Sequence, residues 1–171
     1  MVRRFVLAGA IGTVACGGSL EPSVVADATV EARSGSTVTG SLLFVADDED
    51  RAQLTVEIRN APPGVHAIHL HETGDCSDPM GASAGGHWNP EMHMHGDLGT
   101  ADSHLGDLGQ LEVGADGTGR KVIWGNWAVG TGAMNDVVGK AFIIHANPDE
   151  FVQPTGNAGG RIGCAVISLR D

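Results

Sequence analysis

Eight histidines punctuate the chain, and their spacing is the first feature that could do chemistry. His69 and His71 stand two apart in an alternating segment. In an extended chain both rings leave one face, while Ile68 and Leu70 take the other. Two imidazoles on one face can chelate one ion. Alone, such a pair is more often surface decoration than a site, but this one is followed by His87, His95, His104, Asp107 and, much later, His145. Nitrogen donors with a single carboxylate suit copper and zinc, whereas calcium and magnesium call for sets of oxygen ligands.

Short alternating segments must position these donors. Leu54, Val56 and Ile58 alternate with Thr55, Glu57 and Arg59, the pattern of a strand with one face inward and one in water. Similar runs cover residues 37–45, 65–71, 111–113, 121–124, 137–145 and 164–169, punctuated by turn signals at Pro62-Pro63-Gly64 and Asp116-Gly117. No segment sustains a helical apolar stripe and no internal repeat is visible. Seven or eight short strands of this kind predict an all-β sandwich or barrel. Two long stretches, 72–108 and 146–160, break the rhythm. Loops of that length in a compact domain usually serve a function, and the histidines sit in or beside them.

A chain of 171 residues has room for one domain. Its 26 glycines are roughly double the usual share of about 7%, which fits a fold rich in turns. The net charge of −11 argues against nucleic acid or an anionic membrane surface as partner, since both repel an acidic protein. No GxxxxGK[ST] loop and no basic stripe with interleaved aromatics is present.

Three cysteines, Cys16, Cys76 and Cys164, leave one over if two pair. Arg3 and Arg4 precede an apolar run, Phe5 to Ala15, that is too short to span a bilayer and reads as an export signal over residues 1–15. Gly12-Thr13-Val14-Ala15-Cys16 resembles a lipobox, although Thr13 stands where leucine is commonest. Lipidation of Cys16 is the expectation; cleavage nearby and an uncleaved anchor are the alternatives. All three put the mature chain outside the cytoplasm, in the periplasm or cell envelope, where a disulfide persists. Residues 16–27 then read as a lipid-attached flexible tether, and residues 28–171 as the folded domain. Contact with a membrane is expected only through that lipid.

From about Val30 to the C-terminus the sequence resembles the copper,zinc superoxide dismutases. Five ordered segments carry the resemblance: His69-Leu70-His71-Glu72-Thr73-Gly74-Asp75, His87-Trp88-Asn89-Pro90, His104-Leu105-Gly106-Asp107-Leu108-Gly109, Ile143-Ile144-His145, and Gly156-Asn157-Ala158-Gly159-Gly160-Arg161-Ile162-Gly163-Cys164. The resemblance implies copper on His69, His71, His87 and His145, and zinc on His87, His95, His104 and Asp107, with His87 as the bridge. His95 is preferred to His93 because its step from His87 matches the family's, which leaves His93 as a solvated loop histidine. His66 matches a structural histidine, and Asp149 an aspartate that joins a copper ligand to a zinc ligand; Glu150 is read as a solvated acid. A disulfide between Cys76 and Cys164 would tie the ligand-bearing loop to the barrel. Ala67 and Ala165 replace glycines usual in the family.

The fold expected is therefore an all-β Greek-key β-barrel or sandwich of about eight antiparallel strands with two long functional loops. The implied activity is dismutation of superoxide to oxygen and hydrogen peroxide, with Arg161 holding the anion and His87 supplying a proton, and a protective role in the cell envelope. The rival is a dismutase-like copper chaperone or buffer without turnover, whose mark would be a missing copper ligand or a missing arginine. The loop 146–160 is short and lacks lysine, which leaves Arg161 as the main cation near copper unless Arg120, Lys121 or Lys140 folds close by. A homodimer is compatible with the sequence without being indicated by it.

Overall fold

The computed structural model describes residues 24–48 and 50–170. Among the described residues nine strands follow one another: β1 (Val25–Ala32), β2 (Thr39–Asp48), β3 (Arg51–Arg59), β4 (Gly64–His71), β5 (Asp107–Val113), β6 (Gly119–Gly125), β7 (Ala141–His145), β8 (Arg161–Val166) and β9 (Ser168–Leu169). Eight of them form one path in the order β5-β4-β7-β8-β1-β2-β3-β6, and the two-residue β9 pairs with β1. Every pairing is antiparallel. The all-β barrel expected from the alternating runs is the fold found.

Alternation decides which residues fill the barrel. In β3 the residues Ala52, Leu54, Val56 and Ile58 are buried while their neighbours meet solvent. Facing them across the ladder are Phe44 opposite Leu54 and Leu42 opposite Val56. Ile68, Leu70, Leu111, Ile123, Phe142 and Ile144 complete the same core. Each fully buried side chain of this size contributes about 1.5–3 kcal/mol relative to an exposed one. Phe44 also packs edge-on against Trp127, with ring centroids 5.7 Å apart.

β4 and β7 depart from simple alternation, and the departure makes the site. From His66 to His71, and throughout β7, every residue is buried. Ile68, Leu70, Phe142 and Ile144 point into the barrel, as expected from their spacing. The opposite face, which carries Ala67, His69, His71, Ile143 and His145, lies beneath the two long loops instead of in water. A small second cluster, Ala84, Ala141, Ile143 and Cys164 with Cys76 packed against it, sits on that outer face. The disulfide Cys76–Cys164 holds the loop there, closing 88 residues of chain. A closure of that length removes about 4–5 kcal/mol of chain entropy from the unfolded state in the loop-entropy account.

The ends of the strand path are joined by a side chain. β5 and β6 form no backbone ladder with each other among the described pairings. Lys121 Nζ of β6 donates to the carbonyls of Leu108 and Gln110 in β5, at 2.9 and 2.7 Å. Half-burial pulls the Lys121 amine below its usual value.

β1 begins at Val25, so Val25, Ala26 and Asp27 pair with β2 and belong to the barrel instead of the tether. The signal segment and Cys16 lie outside the described residues. β7 starts at Ala141, later than the expected 137, because Gly139 takes a left-handed turn (φ 81°). Ala67 and Ala165, at positions where glycine is usual, are both buried, so their methyl groups fill interior space. No helix among the described residues is long and apolar enough to cross a membrane.

Candidate metal centre

β4 and β7 are adjacent, with Leu70 opposite Phe142 and Ile68 opposite Ile144, so His69, His71 and His145 emerge on the same outer face. His87 arrives from the first long loop through an isolated bridge to His71. A closed ring of three backbone hydrogen bonds fixes the neighbours of these ligands. Leu70 N donates to Gly106 O (2.8 Å), Gly106 N to Trp88 O (3.0 Å), and Trp88 N to Leu70 O (2.8 Å). Residues flanking His69, His71, His87 and Asp107 are thereby knotted together. Gly106 admits no side chain here, because an added Cβ would lie 2.4 Å from Leu70 O.

Two groups of donors result. His69, His71, His87 and His145 place ligand atoms within 4.8 Å of one another, and so do His69, His87, His95 and Asp107. His104 joins the second group through Asp107, its Nδ1 being 3.2 Å from Asp107 Oδ1. His87 Nδ1 and His95 Nδ1 lie 3.1 and 3.0 Å from the same carboxylate. Three nitrogens at 3.0–3.2 Å from one carboxylate have the spacing of ligand edges in a zinc tetrahedron, about 3.3 Å for bonds of about 2.0 Å.

Unpartnered atoms mark where ions fit. His69 Nδ1, His71 Nε2, His95 Nδ1, His104 Nδ1 and His145 Nε2 are buried ring nitrogens without a hydrogen-bond partner. Leaving so many buried polar atoms unmatched is costly in the absence of another partner. The opposite nitrogen of four of these rings is held. His71 Nδ1 faces Gly85 O (3.0 Å) and His145 Nδ1 faces Gly159 O (3.3 Å). His69 Nε2 and His95 Nε2 face the two oxygens of Asp149, at 2.7 and 3.0 Å. Each of these contacts fixes a tautomer that leaves the unpartnered nitrogen with a lone pair.

Burial lowers the proton affinity of four histidines of the centre. It takes His69 to about 4, despite the opposing hydrogen bond to Asp149. His71 falls to about 2 and His145 to about 3, again chiefly by burial, with Arg161 adding to both. His104 is lowered for the same reason. Burial pushes Asp107 upward, but hydrogen bonds from His87 and from the Gly96 and His104 amides prevail and hold it at about 2. Asp149 is likewise held below the ordinary carboxylate range, where bonds from His69, His95 and the Phe151 amide outweigh burial. Lowered imidazoles at His69, His71, His104 and His145 beside carboxylates held ionised at Asp107 and Asp149 are in the state that metal ligation requires.

A cleft of about 220 Å3 opens onto the first group, lined by His71, His87, His145, Thr155, Asn157 and Arg161, among others. Arg161 is anchored by two carbonyls, donating from Nη1 to Gly81 O (2.6 Å) and from Nη2 to Gly85 O (2.7 Å). Arg120, Lys121 and Lys140 do not line the cleft. They are engaged with Glu57, with β5 and with the face of Trp88 respectively.

The remaining sequence expectations also find places. His66 is buried, and both its ring nitrogens sit 2.8 Å from carbonyls, those of His145 and Pro62. His93 is exposed beside Glu91, and Glu150 is exposed and accepts from Asn157. Sequence reasoning missed the carbonyls of Gly81, Gly85 and Gly159, which carry no side-chain signal. It also missed Gln153, whose amide accepts from His95 N (3.1 Å) and donates to His95 O (2.8 Å).

Comparison with known proteins agrees with this geometry. A family model described as copper/zinc superoxide dismutase matches residues 38–167. A relative from Brassica juncea named "Superoxide dismutase [Cu-Zn] 2" is 35% identical over 144 residues, covering 80% of this chain and 93% of its own length. With histidine and aspartate side chains able to hold metal gathered at one centre and the family model matched over residues 38–167, the chain belongs to the copper/zinc superoxide dismutase family.

Proposed function

We propose that this chain dismutes superoxide to oxygen and hydrogen peroxide, with copper held by His69, His71, His87 and His145 and zinc by His87, His95, His104 and Asp107. The observation that carries this reading is the set of five buried ring nitrogens that make no hydrogen bond, two of them facing Asp107, around donor groups that have His69 and His87 in common. His69 also lies within reach of the second group, but its Nε2 is taken by Asp149, so its free Nδ1 is assigned to copper. His104 completes the zinc set, since its free Nδ1 lies beside Asp107.

Copper held by its four histidines would supply a one-electron couple, and zinc held by the second group would supply fixed positive charge. The chain does the rest. Arg161, pinned by Gly81 and Gly85, holds the anion in the cleft at the copper group. His87, whose Nδ1 lies 3.1 Å from Asp107 in the zinc group, would serve copper through its other nitrogen and carry a proton there for the peroxide product. Overall, two superoxide ions and two protons become one oxygen and one hydrogen peroxide.

The Cys76–Cys164 disulfide supports a site of action outside the reducing cytoplasm. The Arg3-Arg4 charge, the short apolar run and the Ala15-Cys16 junction support export and a lipid on Cys16, holding the domain at the cell envelope to remove superoxide there. The chaperone or buffer reading loses ground because all four copper ligands and the arginine are present. Pulse radiolysis on the purified protein decides between them. Copper-dependent decay of superoxide far above the uncatalysed rate is the expected result; stoichiometric copper binding without such decay would contradict the enzyme.

A further inference from the structure

A cavity of about 310 Å3 shares no lining residue with the copper cleft. Its wall includes Glu91, His93, His104 and Asp107, with Trp124 of β6 beside them. It touches neither His71 nor His145. The donors of the second group are closed off from bulk water: His95, Asp107 and His104 are only 3%, 1% and 8% exposed. An ion bound for that group needs a route, and this cavity reaches two of its ligands. His104 contributes a buried Nδ1 without a hydrogen-bond partner.

The outer end of the wall is chemically suited to receive a cation. Glu91 and His93 are both exposed, with Glu91 Oε2 3.7 Å from His93 Nδ1. That spacing lets one carboxylate oxygen and Nδ1 close on a single ion at bond lengths of about 2.0–2.1 Å. His93 is held in place despite its exposure. Asn89 Oδ1 accepts from His93 N (3.0 Å), and Asn89 Nδ2 donates to His93 O (2.8 Å).

We propose that Glu91 and His93 form a capture site for incoming zinc, which passes through this cavity to His104 and Asp107. The proposal rests on the assignment of zinc to the second group. An imidazole and a carboxylate match the borderline character of divalent zinc. Met92 and Met94 are exposed next to the pair, and thioethers favour Cu(I), but the cavity leads to the group that contains a carboxylate. The negative charge of Glu91 raises the local concentration of cations at the mouth.

A capture site on the route lowers the barrier for entry and exit alike and leaves the affinity of the final site untouched. The experiment is exchange of bound zinc for isotopically labelled zinc in the holoenzyme, followed by mass spectrometry, alongside the zinc Kd from chelator competition. In the double variant Glu91→Gln, His93→Gln, exchange should slow roughly tenfold with Kd unchanged. Ala101→Trp, which removes no donor but fills the cavity from its exposed wall, should give the same signature. Unchanged exchange in a fully zinc-loaded protein overturns the route alone. Weaker zinc binding without slower exchange overturns it too, since it would mean that the pair positions the loop. A holoenzyme that contains no zinc overturns both the route and the zinc assignment.

Discussion

The ring of His69 donates through Nε2 to Asp149 at 2.7 Å. The other oxygen of that carboxylate receives His95 Nε2 at 3.0 Å, so one side chain from the second long loop orients a ligand on each side of the shared His87. Space is reserved for it: an added Cβ on Gly156 would lie 1.9 Å from Asp149 Oδ1 and 2.7 Å from His95 Nε2, and Gly156 also has φ 76°. Asp149→Asn leaves one of the two ring N–H groups facing an amide NH2. Gly156→Ala displaces the carboxylate by crowding it. Both variants should weaken zinc binding about 10–100-fold while the disulfide and barrel persist, whereas Gly160→Ala, with open space around it, should not. Chelator competition measures this, and full zinc affinity in Asp149→Asn would show that the bridge does not orient the ligands.

Substrate guidance opposes the overall charge. Without residues 1–15 the chain loses Arg3 and Arg4 and carries −13 instead of −11, which repels superoxide. Arg161 is the one cationic side chain among the residues lining the copper cleft. Superoxide dismutase is a known example of electrostatic steering, so the general effect is not new here. For this chain, Arg161→Glu should slow turnover far more than Arg161→Lys, which keeps the charge but gives up the two-point hold on Gly81 and Gly85. The gap should narrow as salt shortens the screening length to a few Å. Equal rates for the two variants, with metal content matched, would remove Arg161 from guidance.

The metal-free protein should lose stability in mild acid. Folded values of about 4, 2 and 3 for His69, His71 and His145 lie below the unfolded value of about 6.5. Between these limits the unfolded chain binds more protons, so the full stability present above about pH 6.5 declines as pH falls. With up to three protons involved, the slope approaches about 4 kcal/mol per pH unit at its steepest. Asp107, depressed to about 2, adds stability that is present above about pH 4 and is lost as pH falls toward 2. Urea melts of the metal-free protein between about pH 7.5 and 4.5 check this. A midpoint indifferent to pH over that range would mean that the rings are not buried as neutral species.

Much of this was legible in the residues. The alternation of Leu54, Val56 and Ile58 marks a half-buried strand, and the same period of two put His69 and His71 on one face with Ile68 and Leu70 in the core. The strand Val25–Ala32 was not legible, because Ala26 and Ala28 give weak alternation next to a Gly/Ser/Pro segment that reads as tether. The ligand set followed from motif resemblance, and no spacing rule would have brought His145 to His69 across 76 positions of chain. The parts that hold ligands in orientation were the least visible. Carbonyls of Gly85 and Gly159 belong to every sequence alike, and the use of Gln153 and Lys121 depends on which loops and strand ends meet in space.

The central claim is that two metals sit in separate groups joined by His87, and metal analysis of His145→Ala tests it most directly. His145 belongs to the copper group and makes no contact with Asp107, His95 or His104 among the hydrogen bonds and ring contacts described. The purified variant, with its disulfide intact, should retain close to one zinc per chain by elemental mass spectrometry while losing most of its copper. Copper retained at the wild-type level, or zinc lost together with copper, would contradict the account.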